Sequence, residues 1–242
     1  MLKDFNIQLY SVRCEVWRTG LPAVLERLSG IGYTGVEFAG YGGLPVDETH
    51  LLLQQNGLRS VGTHVGLERL ERAFDEEMAY NKELGTEFII VPSAPFGSAE
   101  EVRQTAARLN ALAPRVKKHV FRFAFHNHGT EFERDGPLCR LEDMMALCPD
   151  VEIQLDVFWA SKMGCDCLSF IEKHTPRVSS LHIKQMDADG ENVDLGDGVL
   201  DFKAMIQTGM TNGIGYFVHE QEAFSGDAFE SLENGFKHIM SL

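Results

Sequence analysis

Six apolar segments of this sequence end in polar side chains that can bind a metal ion or transfer a proton. The residues at these ends are Glu37, His64, His126 with the following Asn127 and His128, Asp156, His182 and Glu220. Carboxylates and imidazoles are the side chains that most often bind divalent ions and exchange protons in proteins. Because the pattern repeats along the chain, it indicates one site assembled from distant segments.

Three of these residues form the sharpest set of candidate metal ligands. Asp156, His182 and Glu220 each end one of the last three predicted strands. Mixed oxygen and imidazole ligands suit one divalent ion such as Mn²⁺, Mg²⁺, Co²⁺ or Zn²⁺. A fourth ligand should come from the preceding strand, where the candidates are His126, His128 and Glu131.

The remaining polar and aromatic residues near these ends suggest acid–base and substrate-binding roles. Lys184 follows His182 by two residues, so it should face the same side, where it could transfer a proton or pair with Glu220 or Asp156. His64 could do acid–base work, bind a hydroxyl group or support another side chain, and Glu37 could hold His64. Trp159 could cover the apolar face of a sugar or simply pack within a loop.

Eight short apolar segments predict the strands that would position these residues. They are Phe5–Tyr10, Gly35–Phe38, Leu58–His64, Glu87–Pro92, His119–His126, Glu152–Asp156, Ser179–Ile183 and Gly215–Glu220. Helical patterns lie between them, including a capping box that begins at Ser98. The glycine-containing junctions around Gly32, Gly85 and Gly213 each precede a strand, as expected where a helix stops.

This alternation predicts a single closed (β/α)8 TIM barrel spanning residues 1–242. An open doubly wound sheet is the alternative, but Gln8-Leu9-Tyr10-Ser11-Val12 lacks the glycine-rich phosphate motif that would favour it. In a parallel barrel all strand ends converge on one rim, so the polar residues would meet there.

Composition narrows the class of function. The chain is 44% hydrophobic and carries a net charge of −14, which disfavours nucleic acid as a partner. No apolar run approaches the length of a membrane span, so we expect a cytoplasmic protein without a membrane partner. A homo-oligomer is possible, and the sequence does not decide it.

Several motifs resemble the xylose isomerase-like barrel superfamily, and more closely its sugar phosphate isomerase/epimerase branch. They are Phe125-His126-Asn127-His128-Gly129-Thr130-Glu131-Phe132, Leu181-His182-Ile183-Lys184, Leu195-Gly196-Asp197-Gly198-Val199-Leu200-Asp201-Phe202 and Val218-His219-Glu220-Gln221. The resemblance covers nearly the whole chain. It is specific to the branch and not to a substrate.

The resemblance implies one divalent ion held by residues from the fifth to the eighth strand. Many relatives place a glutamate at the end of the fifth strand, where this chain has His126. The metal ligands are therefore expected to be Glu131, Asp156, His182 and Glu220, with His126 as the alternative to Glu131. The expected catalytic residues are Glu220, Glu131, Lys184 and His64, and the expected substrate-binding residues are His126, His128, Glu37 and Trp159.

The expected function is a metal-dependent sugar isomerase or epimerase, active in carbohydrate metabolism on a keto- or hydroxy-sugar. Proton transfer through an enediolate would be the reaction type. A dehydratase or lyase resembling inosose dehydratases is the first alternative. An apurinic-site endonuclease would need three metal ions and basic loops, and a non-catalytic sugar-binding barrel would need no acid–base residues.

Overall fold

A computed structural model describes residues 4–242, so residues 1–3 of the predicted domain lie outside the described residues. The barrel strands and a short hairpin are β1 (Asn6–Gln8), β2 (Gly35–Phe38), β3 (Arg59–His64), β4 (Phe88–Val91), β5 (Arg122–His126), β6 (Glu152–Asp156), β7 (Val178–Ile183), β8 (Gln185–Met186), β9 (Asn192–Val193) and β10 (Tyr216–His219).

The helices lie between these strands. They are α1 (Arg13–Thr19), α2 (Leu21–Ile31), α3 (Val46–Gln55), α4 (Leu67–Arg72), α5 (Phe74–Leu84), α6 (Ala99–Lys118), α7 (Arg140–Leu147), α8 (Val157–Lys162), α9 (Cys167–His174), α10 (Phe202–Thr211) and α11 (Ala228–Met240). In residues 4–242 we find no helix with the length and apolar character needed to cross a membrane.

Eight parallel strands close into a barrel in the order β1-β10-β7-β6-β5-β4-β3-β2. The predicted (β/α)8 barrel is therefore confirmed. Parallel pairing places the carboxyl ends of all eight strands on one rim. In register, Asp156 of β6 lies beside His182 of β7, and His126 of β5 lies beside Gln154 of β6.

The helices cover the barrel with their apolar faces. Leu21, Val24, Leu25 and Leu28 of α2 are all buried, as their spacing predicts. Burying such side chains stabilises the fold by about 1.5–3 kcal/mol for each one fully removed from water. The core therefore lies mostly between the helices and the outer face of the barrel.

Two predicted strands are each three residues shorter than the sequence suggested, the largest differences among the barrel strands. The first was expected at Phe5–Tyr10 but ends at Gln8, because the Gln8 side chain accepts a hydrogen bond from Tyr10 N (3.0 Å) and starts a 3₁₀ turn. The fifth was expected at His119–His126 but begins at Arg122, because α6 continues to Lys118 before the chain turns.

The predicted helix ends are confirmed at the glycine junctions. Gly32, Gly85 and Gly213 have φ values of 119°, 67° and 84°, which residues with a Cβ rarely adopt. Each stops a helix and directs the chain into the next strand. The helix predicted to begin at Ser98 is present, and the serine hydroxyl caps it by accepting from Glu101 N at 3.2 Å, which is one of the two bonds of a capping box.

The sequence did not predict the antiparallel hairpin β8–β9, which follows β7. Its residue Asn192 accepts hydrogen bonds through Oδ1 from Glu222 N (2.8 Å) and Ala223 N (3.0 Å). The hairpin therefore fixes the segment that follows β10, at the same rim as the candidate site.

Candidate metal centre and active site

Four side chains converge at the carboxyl-end rim of the barrel. His126, Asp156, His182 and Glu220 each offer a ligand atom, and these atoms all lie within 4.8 Å of one another. All four residues are buried. They come from the ends of β5, β6 and β7 and from the position directly after β10. Strand ends that are far apart in sequence thus form one cluster.

The cluster lies next to a cavity of about 390 Å³. His126 and Glu220 line this cavity together with His64, His128, Trp159, Tyr10 and Glu222. The Trp159 and Tyr10 rings give it apolar surface, whereas the imidazoles and carboxylates can bind hydroxyl and carbonyl oxygens. A small polar ligand with apolar C–H faces, such as a sugar, fits this combination.

Glu37 lies beneath the cluster inside the barrel and does not line the cavity, so the structure does not support direct substrate contact. Its Oε1 accepts from His182 Nε2 (2.8 Å) and Gln8 Nε2 (2.7 Å) and lies 2.9 Å from His64 Nε2. Its Oε2 accepts from Gln154 Nε2 at 2.7 Å. The expected contact between Glu37 and His64 is therefore present.

Lys184 forms a second charged group at the rim. Its Nζ lies 3.5 Å from Glu220 Oε1, contacts Glu222, and lies 5.3 Å from the centre of the Trp159 ring. Burial would lower the pKa of Lys184, but the carboxylates of Asp156, Glu220 and Glu222 outweigh it and raise that pKa. Lys184 is therefore a charged ammonium that faces inward, and the structure shows the expected ion pair with Glu220.

The cluster carries strongly perturbed groups. Burial would lower the pKa of His182, but the carboxylates of Glu37 and Glu220 raise it to about 10. A divalent ion bound at Nδ1 would therefore have to displace the hydrogen from that nitrogen. Burial raises the pKa of Asp156 to about 6 against the opposing charge of Lys184. Burial would also raise the pKa of Glu220, yet His182 and Lys184 hold it well below its usual range.

His126 behaves differently from His182. Burial, together with the neighbouring imidazoles of His182 and His64, holds the pKa of His126 well below 6.5. Its ring is therefore neutral and keeps one nitrogen with an available lone pair, as a metal ligand requires.

The donor set fits a divalent ion. Asp156 Oδ2 is buried and has no hydrogen-bond partner within residues 4–242. A buried polar atom is costly to leave unpaired, so this oxygen, in one cluster with His126, His182 and Glu220, indicates a ligand there. Two carboxylates and two imidazoles are a suitable donor set for Mn²⁺, Co²⁺ or Zn²⁺.

Glu131, expected as the fourth ligand, lies outside this four-residue cluster. Its Oε2 accepts from His128 N (3.0 Å) and Thr130 Oγ1 (3.1 Å), so the carboxylate holds the turn that follows β5. Burial raises the pKa of Glu131 despite these bonds. The position in the cluster is occupied by His126, because His126 ends the strand and faces the barrel interior.

Sequence reasoning missed three polar residues of this region: Gln8, Gln154 and Glu222. A signal for Gln154 was available, because side chains two residues apart on a strand share a face and Gln154 precedes Asp156 by two residues on β6. Glu222 lies beyond the end of β10, where this alternation no longer applies.

Comparison with known proteins agrees with this fold and motif set. The profile of the xylose isomerase-like TIM barrel family matches residues 25–241. The chain therefore belongs to the xylose isomerase-like TIM barrel family. No curated protein matches the sequence.

Solved structures share the whole barrel. A sugar phosphate isomerase/epimerase from Parabacteroides distasonis superposes with a TM-score of 0.86 at 21% identity, covering 99% of this chain and 98% of its own. The 3-keto-D-glucoside 4-epimerase of E. coli gives 0.78 at 14% identity, covering 99% of each chain. The probable 3-DHS dehydratase from Bacillus anthracis gives 0.78 at 14% identity, covering 98% and 99%. At these identities the likeness concerns the fold.

Proposed function

We propose that this protein is a divalent-metal-dependent isomerase or epimerase that acts on a keto- or hydroxy-sugar. The observation that carries the proposal is the buried cluster of His126, Asp156, His182 and Glu220, which borders a cavity with aromatic and hydrogen-bonding walls. We assign the four residues as the ligands of one ion, with His126 in place of Glu131.

A bound divalent ion would supply positive charge beside the substrate oxygens and so favour an enediolate by several kcal/mol. The residues of the chain would handle the proton. Glu220 lines the cavity and is held ionised by His182 and Lys184, so it can remove a proton from the carbon next to the carbonyl group. Lys184 and His64 can hold the proton that returns to the substrate.

The site of proton return decides the reaction. Return to the same carbon from the opposite face gives an epimer, whereas return to the neighbouring carbon gives an isomer. The alternative is loss of a β-hydroxyl group, which would make the enzyme a dehydratase. The Lys184 ammonium supports this alternative, because it is charged, lies beside Glu220 and can protonate a leaving hydroxyl group.

Two other functions are less well supported. The second candidate set of ligands, His64, His126 and His182, shares two members with the first, so the clusters of the described residues overlap in one place. This arrangement supports one ion rather than the three that an apurinic-site endonuclease would need. A non-catalytic sugar-binding barrel would not require a charged Lys184 paired with Glu220 and Glu222 at the cavity.

Hydrogen exchange with solvent tests the proposal. Candidate ketoses, phosphorylated and neutral, would be incubated with the protein and Mn²⁺ in D₂O and followed by NMR. We expect deuterium at the carbon next to the carbonyl group, and the product spectrum distinguishes an epimer, an isomer and a dehydrated enone. A Glu220→Gln variant serves as the control and should show no exchange. Absence of exchange with every keto-sugar would remove the mechanism.

A further inference from the structure

The interior of the barrel beneath the cavity is polar, whereas such interiors are usually filled by branched apolar side chains. Glu37 is the centre of this layer, and its carboxylate is surrounded by side-chain nitrogens. These belong to Gln8, His64, Gln154 and His182, each 2.7–2.9 Å from a Glu37 oxygen. A carboxylate that lies among so many donors can impose the direction of every hydrogen bond around it.

Gln154 has only one possible orientation in this layer. An ionised carboxylate only accepts hydrogen bonds, so Gln154 must turn its NH₂ group toward Glu37, and Nε2 lies 2.7 Å from Glu37 Oε2. Its other N–H points to Ser180 Oγ at 3.3 Å. The reversed amide would place two acceptor oxygens against each other in a buried position, which is costly. The carbonyl oxygen of Gln154 therefore faces the other way.

That carbonyl oxygen meets two histidines. Gln154 Oε1 lies 2.8 Å from His64 Nε2 and 3.1 Å from His126 Nδ1. Because a carbonyl oxygen can only accept, both histidine nitrogens must carry a hydrogen. A neutral imidazole carries one N–H, so the opposite nitrogens, His126 Nε2 and His64 Nδ1, keep free lone pairs.

We propose that Gln154, oriented by Glu37, is the positioning residue that sets the tautomer of His126 and that it shares with Glu37 the fixing of the His64 tautomer. The tautomers leave His126 Nε2 free to bind a divalent ion and His64 Nδ1 free to accept a proton. The use of these nitrogens rests on the proposed function, whereas the tautomers follow from the hydrogen bonds alone. Polar groups behind a metal-binding histidine commonly fix its ring in this way.

The neighbouring strand leaves room for this arrangement. Gly62 of β3 lies beside Glu37 of β2, and a Cβ at Gly62 would be only 2.9 Å from Glu37 Oε2. Any side chain at this position would press on the oxygen that receives the Gln154 amide. The glycine therefore permits the bond that orients Gln154.

Histidine-selective ¹⁵N labelling and NMR of the metal-free protein test the inference directly. We expect His126 to be protonated on Nδ1 and His64 on Nε2, with signals assigned from His126→Gln and His64→Gln variants. Gln154→Met should lose the fixed tautomer of His126, whereas His64 should stay protonated on Nε2 because Glu37 Oε1 also faces that nitrogen at 2.9 Å. Gln8→Met is the matched control, because Gln8 is equally buried and also bonds Glu37, but its hydrogen-bond partners include no histidine.

Calorimetric titration with Mn²⁺ provides the second measurement. We expect Gln154→Met to bind Mn²⁺ about 10–100-fold more weakly than the Gln8→Met control, as when other groups behind metal ligands are removed. The opposite tautomers in the wild type, or a His126 tautomer and an Mn²⁺ affinity unchanged in Gln154→Met relative to the control, would overturn the inference. If the tautomers are as stated but even the wild type binds no metal, the positioning role is supported and the proposed metal-dependent function fails.

Discussion

At the scale of single residues, the site depends on which atom of each side chain is left free. Asp156 caps helix α8 through Oδ1, which accepts from Trp159 N at 3.0 Å, while its Oδ2 has no hydrogen-bond partner among the described residues. One carboxylate thus has a structural oxygen and an oxygen available to a cation. In His182, Glu37 holds Nε2, whereas Nδ1 lies 2.7 Å from Glu220 within the ligand cluster.

The fourth ligand gives a prediction at this scale. His126→Asn keeps an N–H near the position of Nδ1 but removes Nε2, which is the proposed ligand atom. We expect Mn²⁺ affinity to fall by more than about 100-fold, because losing a ligand should cost at least as much as losing a group behind one. Glu131→Gln keeps one oxygen that can accept from both His128 N and Thr130 Oγ1 and removes the charge, so its Mn²⁺ affinity should stay within a few-fold of the wild type. Calorimetric titration measures both.

The unfolding temperature without metal is the control for these two variants, because it reports any damage to the fold. Added Mn²⁺ should raise that temperature for the wild type and Glu131→Gln, since a ligand that binds only the folded protein stabilises it. Loss of Mn²⁺ binding in Glu131→Gln with full binding in His126→Asn would contradict the assignment of His126.

At the scale of elements, the rim is built by the carboxyl ends of the barrel strands and by the β8–β9 hairpin. Asn192 of the hairpin binds the backbone of Glu222 and Ala223, which holds Glu222 beside Lys184. The carboxylate at the edge of the cavity is therefore positioned by a hairpin that the sequence patterns did not reveal.

A helix end that precedes β10 gives the prediction for elements. Gly213 has φ of 84°, and no atom lies within 4 Å of a Cβ placed there, so Gly213→Ala tests backbone strain alone. We expect the free energy of unfolding to fall by about 1 kcal/mol. Gly215→Ala is the matched control, since it also has open space but no positive φ, and its stability should not fall. Equal stability of the two variants in urea denaturation would refute the strain argument.

At the scale of the molecule, a buried carboxylate ties two outer helices together through an ion pair with an exposed lysine and a hydrogen bond with a histidine. Glu142 of α7 binds Lys173 Nζ (2.6 Å) and His174 Nε2 (3.2 Å) of α9, and it also accepts from Cys139 N (3.0 Å). Burial would raise the pKa of Glu142, but Lys173 and the Cys139 N–H lower it to about 2. This carboxylate couples two helices on the side of the barrel that carries β6 and β7.

The low pKa of Glu142 predicts how stability depends on pH. Its contribution is fully present above the unfolded pKa of about 4.5 and is lost as the pH falls toward 2. Glu142→Gln keeps the cap on Cys139 and removes the charge, so it should be less stable than the wild type by about 1–2 kcal/mol at pH 7. Urea denaturation from pH 7 to pH 3 should show this difference shrinking, and a constant difference would contradict the charge effect.

Much of this molecule was determined by local sequence. The alternation of apolar strands and helices, the glycine junctions and the polar residues at strand ends each depend on a few neighbouring positions. These features can be recognised in the sequence because side chains alternate with a period of two on a strand and recur with a period of 3.6 on a helix. Asp156, His182 and Glu220 could be identified for this reason.

Only the closed barrel decided which of these residues meet. Glu37 and Gln154 are 117 residues apart, and the bond between them exists because strands β2 and β6 face each other across one interior. The choice of His126 over Glu131 within the cluster, and the position of Glu37 beneath the cavity, likewise depend on depth along the barrel axis. The sequence of a strand determines which face of the sheet a side chain points to. The depth of that side chain in the barrel, and the residues it contacts there, are determined by the register of all eight strands.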